Sequence, residues 1–249
     1  MYPSENLWIW GHPTNSLLNC FGIQKESKMS PVEGAKYLGA ENIFYVPMGH
    51  PTDIEAENKL MSRCKNVGWA IEAPHIADEI IVQAKKYPNI KIGIFDDFFN
   101  EENIKNNNLN YNSETLSDIR EKFHEVGMEM WMVLYTKQFD KEIMPLLKEF
   151  DGISMWFWNE SDVDNFERRI EQFFKFTENK KRLIGCYLYN FGDNRGATPK
   201  KVEYQLTRHL ELLKSGDING TILHTNAVAD IGLEAVETAR QFITSSSIV

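Results

Sequence analysis

Cysteine is scarce in this chain: three in 249 residues, an odd number that leaves no disulfide framework. Cys20, Cys64 and Cys186 also lack the short spacing of a zinc knuckle, so reduced and mostly buried thiols are expected. Basic charge is in deficit as well, with 27 Lys and Arg against 36 Asp and Glu and a formal net charge of -9. Contacting a phosphate backbone takes clustered cations, so no nucleic-acid partner is expected and a neutral or polar substrate fits better. No apolar run approaches the roughly 18 residues of a membrane span, and Met1 to Asn6 shows no basic region leading into an apolar one. The expectation is a soluble chain with no membrane partner, cytoplasmic by default and secreted if a leader has been removed. Two glycosylation sequons, at Asn159 and Asn219, are short enough to occur by chance. No Gly-x-Gly-x-x-Gly follows the first strand-like run, which removes the usual reason to expect a dinucleotide.

What is present is a rhythm. Short apolar, β-branched or aromatic runs alternate with longer amphipathic segments. The strand candidates are Leu7 to Trp10, Ile43 to Val46, Val67 to Ile71, Ile90 to Phe95, Met130 to Tyr135, Gly152 to Trp158, Leu183 to Tyr189 and Gly220 to His224. Helix starts between them are signalled by Ser30-Pro31, Asp53, Pro74, Ser113, Asp140, Ser161-Asp162 and Thr198-Pro199, and Ala227 to Ile243 closes the chain. Gly127, Gly152 and Gly216 stand where a left-handed stop or tight turn is expected. Eight strand-helix units predict an α/β fold, a single (β/α)8 TIM barrel occupying residues 1–249. An open doubly wound sheet is the competitor, because periodicity orders the elements without closing them. Asn100 to Asn112, with seven Asn, reads as a substrate-covering loop or a plain insertion.

In a barrel of this kind the residues just past each strand's C-terminal end share one mouth. Asp96 and Asp97 follow the fourth run as an acidic pair, and two close carboxyls disfavour joint ionisation, leaving a proton donor beside an anion. Neighbours on a strand point to opposite sides, so the two enter one site only where the chain bends. Glu72 and Glu160 supply further carboxyls on the rim, and Asp97 with Glu160 is the second candidate pair. His12, His50, Tyr135, Trp158, Tyr189, Asn190, Asp193, His224 and Asn226 also fall at strand ends. Flat rings with amides and carboxyls suit a carbohydrate, whose C–H faces stack while its hydroxyls need partners. His12 and His50 each stand in Gly-His-Pro, a turn that fixes the backbone and aims the imidazole. Arg195 is a candidate for an acidic group on a substrate or a solvated loop charge.

Phe95-Asp96-Asp97 after strand four, Ile153 to Asn159 on strand six and Tyr187 to Asp193 on strand seven resemble the retaining β-N-acetylglucosaminidases, namely glycoside hydrolase family eighty-four and hyaluronidase-like enzymes. That resemblance implies a barrel in which the substrate's 2-acetamido group is the nucleophile and consecutive aspartates assist it. It implies that Asp96 orients the acetamido group, that Asp97 protonates the leaving oxygen and then activates water, that Asn190 and Asp193 bind hydroxyls, and that Trp158 walls the N-acetyl pocket. The expectation is therefore a glycoside hydrolase with Asp96 and Asp97 catalytic, Glu160 and Glu72 in reserve, and neither cofactor nor metal required. The competing readings are a metal-dependent sugar isomerase or hydrolase, using His12, His50, Glu72, His75, Asp96 and His224, and a silent carbohydrate-binding barrel. Neither His-x-His nor His-Glu-x-x-His supports the metal. Oligomeric state has no signature in the sequence.

Overall fold

The computed structural model describes residues 2–98, 113–139 and 144–245. Eight parallel strands close into a barrel: β1 (Leu7–Gly11), β2 (Asn42–Tyr45), β3 (Asn66–Ala70), β4 (Ile90–Phe95), β5 (Glu129–Tyr135), β6 (Gly152–Trp156), β7 (Lys181–Tyr187) and β8 (Gly220–His224). Each strand pairs with its sequence neighbours, and β8 pairs with β1 through Leu7 to Trp10, which excludes the open sheet. The helices are α1 (Pro31–Leu38), α2 (Ile54–Leu60), α3 (Pro74–Lys86), α4 (Ser113–Glu125), α5 (Met144–Leu147), α6 (Phe166–Phe176), α7 (Pro199–Ser215) and α8 (Glu234–Ser245). No helix among the described residues is long and apolar enough to cross a membrane.

The starts follow from local chemistry. Ser30 and Glu33 form a capping box, each satisfying the other's amide, and Pro31 occupies the first helical position. Asp53 accepts from the Ala56 amide at 3.0 Å and opens α2. Gly127 and Gly216 adopt φ of 74° and 79°, as stops after α4 and α7 should. Four expected bounds shift. The segments opened by Ser161-Asp162 and by Ala227 begin as 3-10 turns, Glu160–Asn165 and Asn226–Val228, and the α-helices start at Phe166 and Glu234. β6 ends at Trp156 and β7 at Tyr187, two residues earlier than periodicity alone suggests. The Asn-rich segment 100–112 and Asp140 lie outside the described residues.

Alternation sorts the strands into two cores. Odd positions of β1, such as Leu7 and Ile9, join the layer between barrel and helices, while Trp8 and Trp10 turn inward. The interior is unusually aromatic: Trp8 stacks on Phe44 with centroids 4.4 Å apart, and Trp10 meets Trp156 edge-on at 5.3 Å. Trp131 also points inward, whereas Trp69 belongs to the outer layer and donates to Asn58 at 2.8 Å. Rings of this size fit because the neighbouring strand offers a glycine, with no side chain, beside each of two of them. A Cβ on Gly185 would sit 2.0 Å from Trp156, and one on Gly152 would sit 2.2 Å from Trp131. Gly152 is thus required by a close approach, not by a turn.

Candidate functional site

The inward register continues past the strand ends into a cavity of about 490 Å³ at the C-terminal mouth. One step of two residues beyond the packed interior takes Trp10 to His12, Ala70 to Glu72, Ile94 to Asp96, Val133 to Tyr135 and Trp156 to Trp158, and each residue so reached lines the cavity. Tyr187 and His224, the last residues of β7 and β8, complete the ring.

Asp97 breaks that alternation. Its φ of 48° turns the chain back at the end of β4, so that its amide donates to Asp96 Oδ1 at 2.9 Å and both carboxyls line the cavity. Asp is among the few L-residues that accept this left-handed region readily. Asp96 is half-buried and Asp97 is exposed. Burial, the Asp97 charge and the Glu72 charge push Asp96 up to about 7, against the lowering effect of the Asp97 amide and the Tyr135 hydroxyl. The Tyr135 hydroxyl lies beside the pair and beside the Tyr187 hydroxyl, and burial holds both phenols above their ordinary range. Tyr187, Tyr135 and Asp96 thus stand in series along the wall, with Asp97 beside them.

Across the mouth, His12 and His224 approach through their Nε2 atoms at 3.4 Å. His12 Nδ1 faces the Val46 carbonyl at 3.0 Å. Asn226 is buried beneath them, accepting from the His12 amide at 2.8 Å and donating to the His12 carbonyl at 3.0 Å. It fixes His12 without reaching the cavity. Aromatic rings from Trp10, Trp156, Trp158, Phe21 and Phe191 share the remaining wall with aliphatic side chains such as Leu17, Val46 and Val133. Trp158 stands edge-on to Tyr135 at 5.6 Å.

Several expected site residues are elsewhere. Glu160 turns away from the mouth toward the start of α7. It accepts from the Thr198 hydroxyl at 3.0 Å and the Arg195 guanidinium at 2.6 Å, and also from the Thr198 amide. Burial alone would raise its pKa; those three donors outweigh burial and hold the carboxyl below its ordinary range. Glu160 therefore forms no pair with Asp97, and Arg195 is committed to it. Asn190 and Asp193 bond to each other, at 2.8 Å and 3.2 Å, within a short antiparallel ribbon of Tyr189–Asn190 with Arg195–Gly196. Tyr189 donates to the Phe21 carbonyl at 2.7 Å and so braces the loop after β1 from behind. β7 ends two residues before Tyr189, and the change of direction takes these side chains out of the inward register. His50 is exposed and does not line the cavity.

Trp10, Trp156, Tyr187, Phe21, Met48 and Phe191 line the cavity without having been selected as site residues from the sequence. Counting in twos from the apolar interior positions would have found Trp10, Trp156 and Tyr187. Phe21 and Met48 come from loops at positive φ, 51° and 54°, for which the sequence has no comparable signal. Among the described residues no three His, Cys, Asp or Glu side chains converge as metal ligands. The His12, His50, Glu72, His75, Asp96 and His224 set is dispersed: His12 and His224 face each other, and His50 stands outside.

No family model matches the chain, and no curated protein sequence matches it. Solved structures do. A chitinase from Chromobacterium violaceum superposes with a TM-score of 0.60 at 10% identity, covering 97% of this chain and 99% of its own. An endo-β-N-acetylglucosaminidase from Cordyceps militaris gives 0.58 at 13% identity, covering 97% and 90%. The tryptophan synthase α-subunit from Pyrococcus furiosus gives 0.57 at 8% identity, covering 99% and 98%. Barrels of such different chemistry match almost equally well, so what this chain shares with all three is the closed (β/α)8 fold.

Proposed function

We propose that the protein hydrolyses a glycosidic bond, with Asp96 and Asp97 as its catalytic carboxyls. The observation carrying this reading is the bend at Asp97, which turns both carboxyls onto one aromatic-walled cavity in which Asp96 is pushed up to about 7. A carboxyl with that pKa is divided between acid and base near neutrality, as both halves of a hydrolysis need. Protonated, it gives its hydrogen to the glycosidic oxygen as the C–O bond breaks and the bonding pair leaves on that oxygen. The partner carboxylate supports the positive charge growing on the sugar ring, and the first carboxyl, ionised once it has given up its hydrogen, takes a proton from the attacking water as the water oxygen bonds to the anomeric carbon. Tyr135, beside the pair, is placed to orient the carboxyls, and Trp158 with Trp10 offers rings for the sugar's C–H bonds.

On a 2-acetamido sugar the same pair suits the substrate-assisted route. The deeper Asp96 would hold the acetamido N–H and the exposed Asp97 would serve the leaving oxygen. That the chitinase and the endo-β-N-acetylglucosaminidase share this fold is analogy only, since tryptophan synthase shares it too. Glu72, exposed on the same cavity, is the reserve carboxyl.

The test is hydrolysis of a panel of aryl glycosides, including an N-acetylglucosaminide and a glucosaminide, by wild type, Asp96→Asn and Asp97→Asn, with and without chelator. Turnover that resists chelator and falls about 10²- to 10⁴-fold in each variant supports the reading. Turnover that survives in both variants, or that chelator abolishes, overturns it. Silence on every glycoside with sugars still bound would indicate a binding barrel.

A further inference from the structure

The cavity is rich in groups that accept hydrogen bonds and poor in groups that donate them. Glu72, Asp96 and Asp97 are carboxyls, and no Lys or Arg lines the cavity among the described residues. The Tyr135 and Tyr187 hydroxyls lie beside the pair and beside each other, where the carboxyl oxygens compete for their hydrogens. Burial keeps both imidazoles neutral, pushing His12 down to about 4 and His224, which also faces His12, well below its ordinary value. His12 must carry its proton on Nδ1 to donate to the Val46 carbonyl, which leaves a lone pair on Nε2. The 3.4 Å approach of His224 Nε2 is then attractive when His224 carries its proton there. His224 Nδ1 is left as an acceptor, and this atom, on a side chain only 9% exposed, has no hydrogen-bond partner. The rest of the wall is made of aromatic rings, whose faces are the negative poles of their quadrupoles, set among aliphatic side chains such as Val46, Ile71 and Val133.

We propose that the sugar taken by this cavity is a basic one, an amino sugar with a free ammonium group, in preference to its N-acetylated or carboxylated counterparts. The inference rests on the reading of the cavity as a carbohydrate site. An ammonium group brings three donors, no acceptor and a positive charge to a wall that offers the Glu72 and Asp97 carboxyls, an acceptor oxygen on Asp96 and ring faces. N-acetylation removes the charge and two of the donors. A uronate would bring a fourth carboxyl to a cavity that holds three. A free amine also cannot act as the internal acyl nucleophile, so with this substrate Asp96 and Asp97 carry the hydrolysis without the acetamido route.

Calorimetric titration tests this with three methyl glycosides, of glucosamine, N-acetylglucosamine and glucuronic acid, at about pH 6, where the amine is protonated. Wild type and Glu72→Gln are each titrated at low and high salt. The glucosaminide is expected to bind about tenfold or more tightly than the N-acetylglucosaminide, with the ratio falling severalfold in Glu72→Gln and at high salt, and the glucuronide is expected not to bind. Equal or tighter binding of the N-acetylglucosaminide, binding of the glucuronide, or no binding of any probe overturns the proposal. Failure here is separable from failure of the hydrolase reading. Hydrolysis of aryl glycosides with no ammonium preference removes this inference and keeps the hydrolase. Ammonium-selective binding with no hydrolysis of any aryl glycoside, the glucosaminide included, does the reverse.

Discussion

The Asp97 amide donates to the Asp96 carboxyl at 2.9 Å, and the left-handed turn at Asp97 is what brings it there. The backbone and the carboxyl of Asp97 therefore have separable duties. Asn tolerates the same conformation, so Asp97→Asn should melt close to wild type while losing most turnover. Asp97→Val should lose about 1–2 kcal/mol of stability as well, because a β-branched residue resists positive φ. Parallel thermal melts and rate measurements on the two variants check this. Equal melting of the two would show that the turn is not held at φ of 48°.

Asp96 gives the protein a pH signature. Its pKa is raised from an ordinary carboxyl value to about 7, so the folded state holds a proton that the unfolded chain has released in the interval between. Where the folded state binds more protons, stability falls with rising pH. The Asp96 contribution to stability should therefore decline between about pH 4 and about pH 7, against the rise contributed by His12 and His224, whose pKa values are lowered, so the unfolding midpoint of Asp96→Asn should rise more steeply with pH than that of wild type. Denaturant melts across the range would contradict the assignment if wild type and variant changed in parallel.

Trp156 forms part of the cavity wall and packs against the bare backbone of Gly185. Gly185→Ala places a methyl group 2.0 Å from the ring, so the indole or the strand must move. Overpacking of this kind costs about 1–3 kcal/mol. Because the displaced ring lines the mouth, turnover should fall together with the melting temperature, unlike the Asp97→Asn case. A Gly185→Ala protein with unchanged stability and unchanged rate would sink this account.

Glu160 offers a contrast. Replacing it with Gln breaks the ion pair to Arg195 and weakens acceptance from the Thr198 amide at the start of α7. A loss of about 1–3 kcal/mol in stability is expected, as for other weakened buried acceptors. With its side chain outside the mouth cavity, turnover per folded molecule should stay within about threefold of wild type. A thousandfold loss with intact folding would return Glu160 to the catalytic set.

Much of the architecture was legible because it depends on local periodicity. Val32 to Leu38, led by Ser30-Pro31, reads as a capped helix in sequence and forms one, as do the segments opened by Asp53, Pro74 and Thr198. β4 and β8 have the bounds their apolar runs suggest. The same period of two carries Glu72, Asp96, Tyr135 and Trp158 from the strands into one cavity. Tyr189, Asn190, Asp193 and Glu160 depart from it because β6 and β7 end early, and where a strand ends depends on the loops packed against it.

The sequence by itself determined the order of strands and helices, the placing of most caps, and which strand ends carry carboxyls and rings, since these follow from contacts a few residues apart. Closure of β8 onto β1 was decided only in three dimensions, as was the aromatic filling of the barrel against Gly152 and Gly185. So were the engagement of Glu160 by Arg195 and the meeting of His12 with His224. Residues 212 positions apart come together because the sheet closes, and a one-dimensional pattern carries no information about that approach. The charge state of Asp96 belongs with these, because it depends on burial and on Glu72, which reaches the same mouth from another strand.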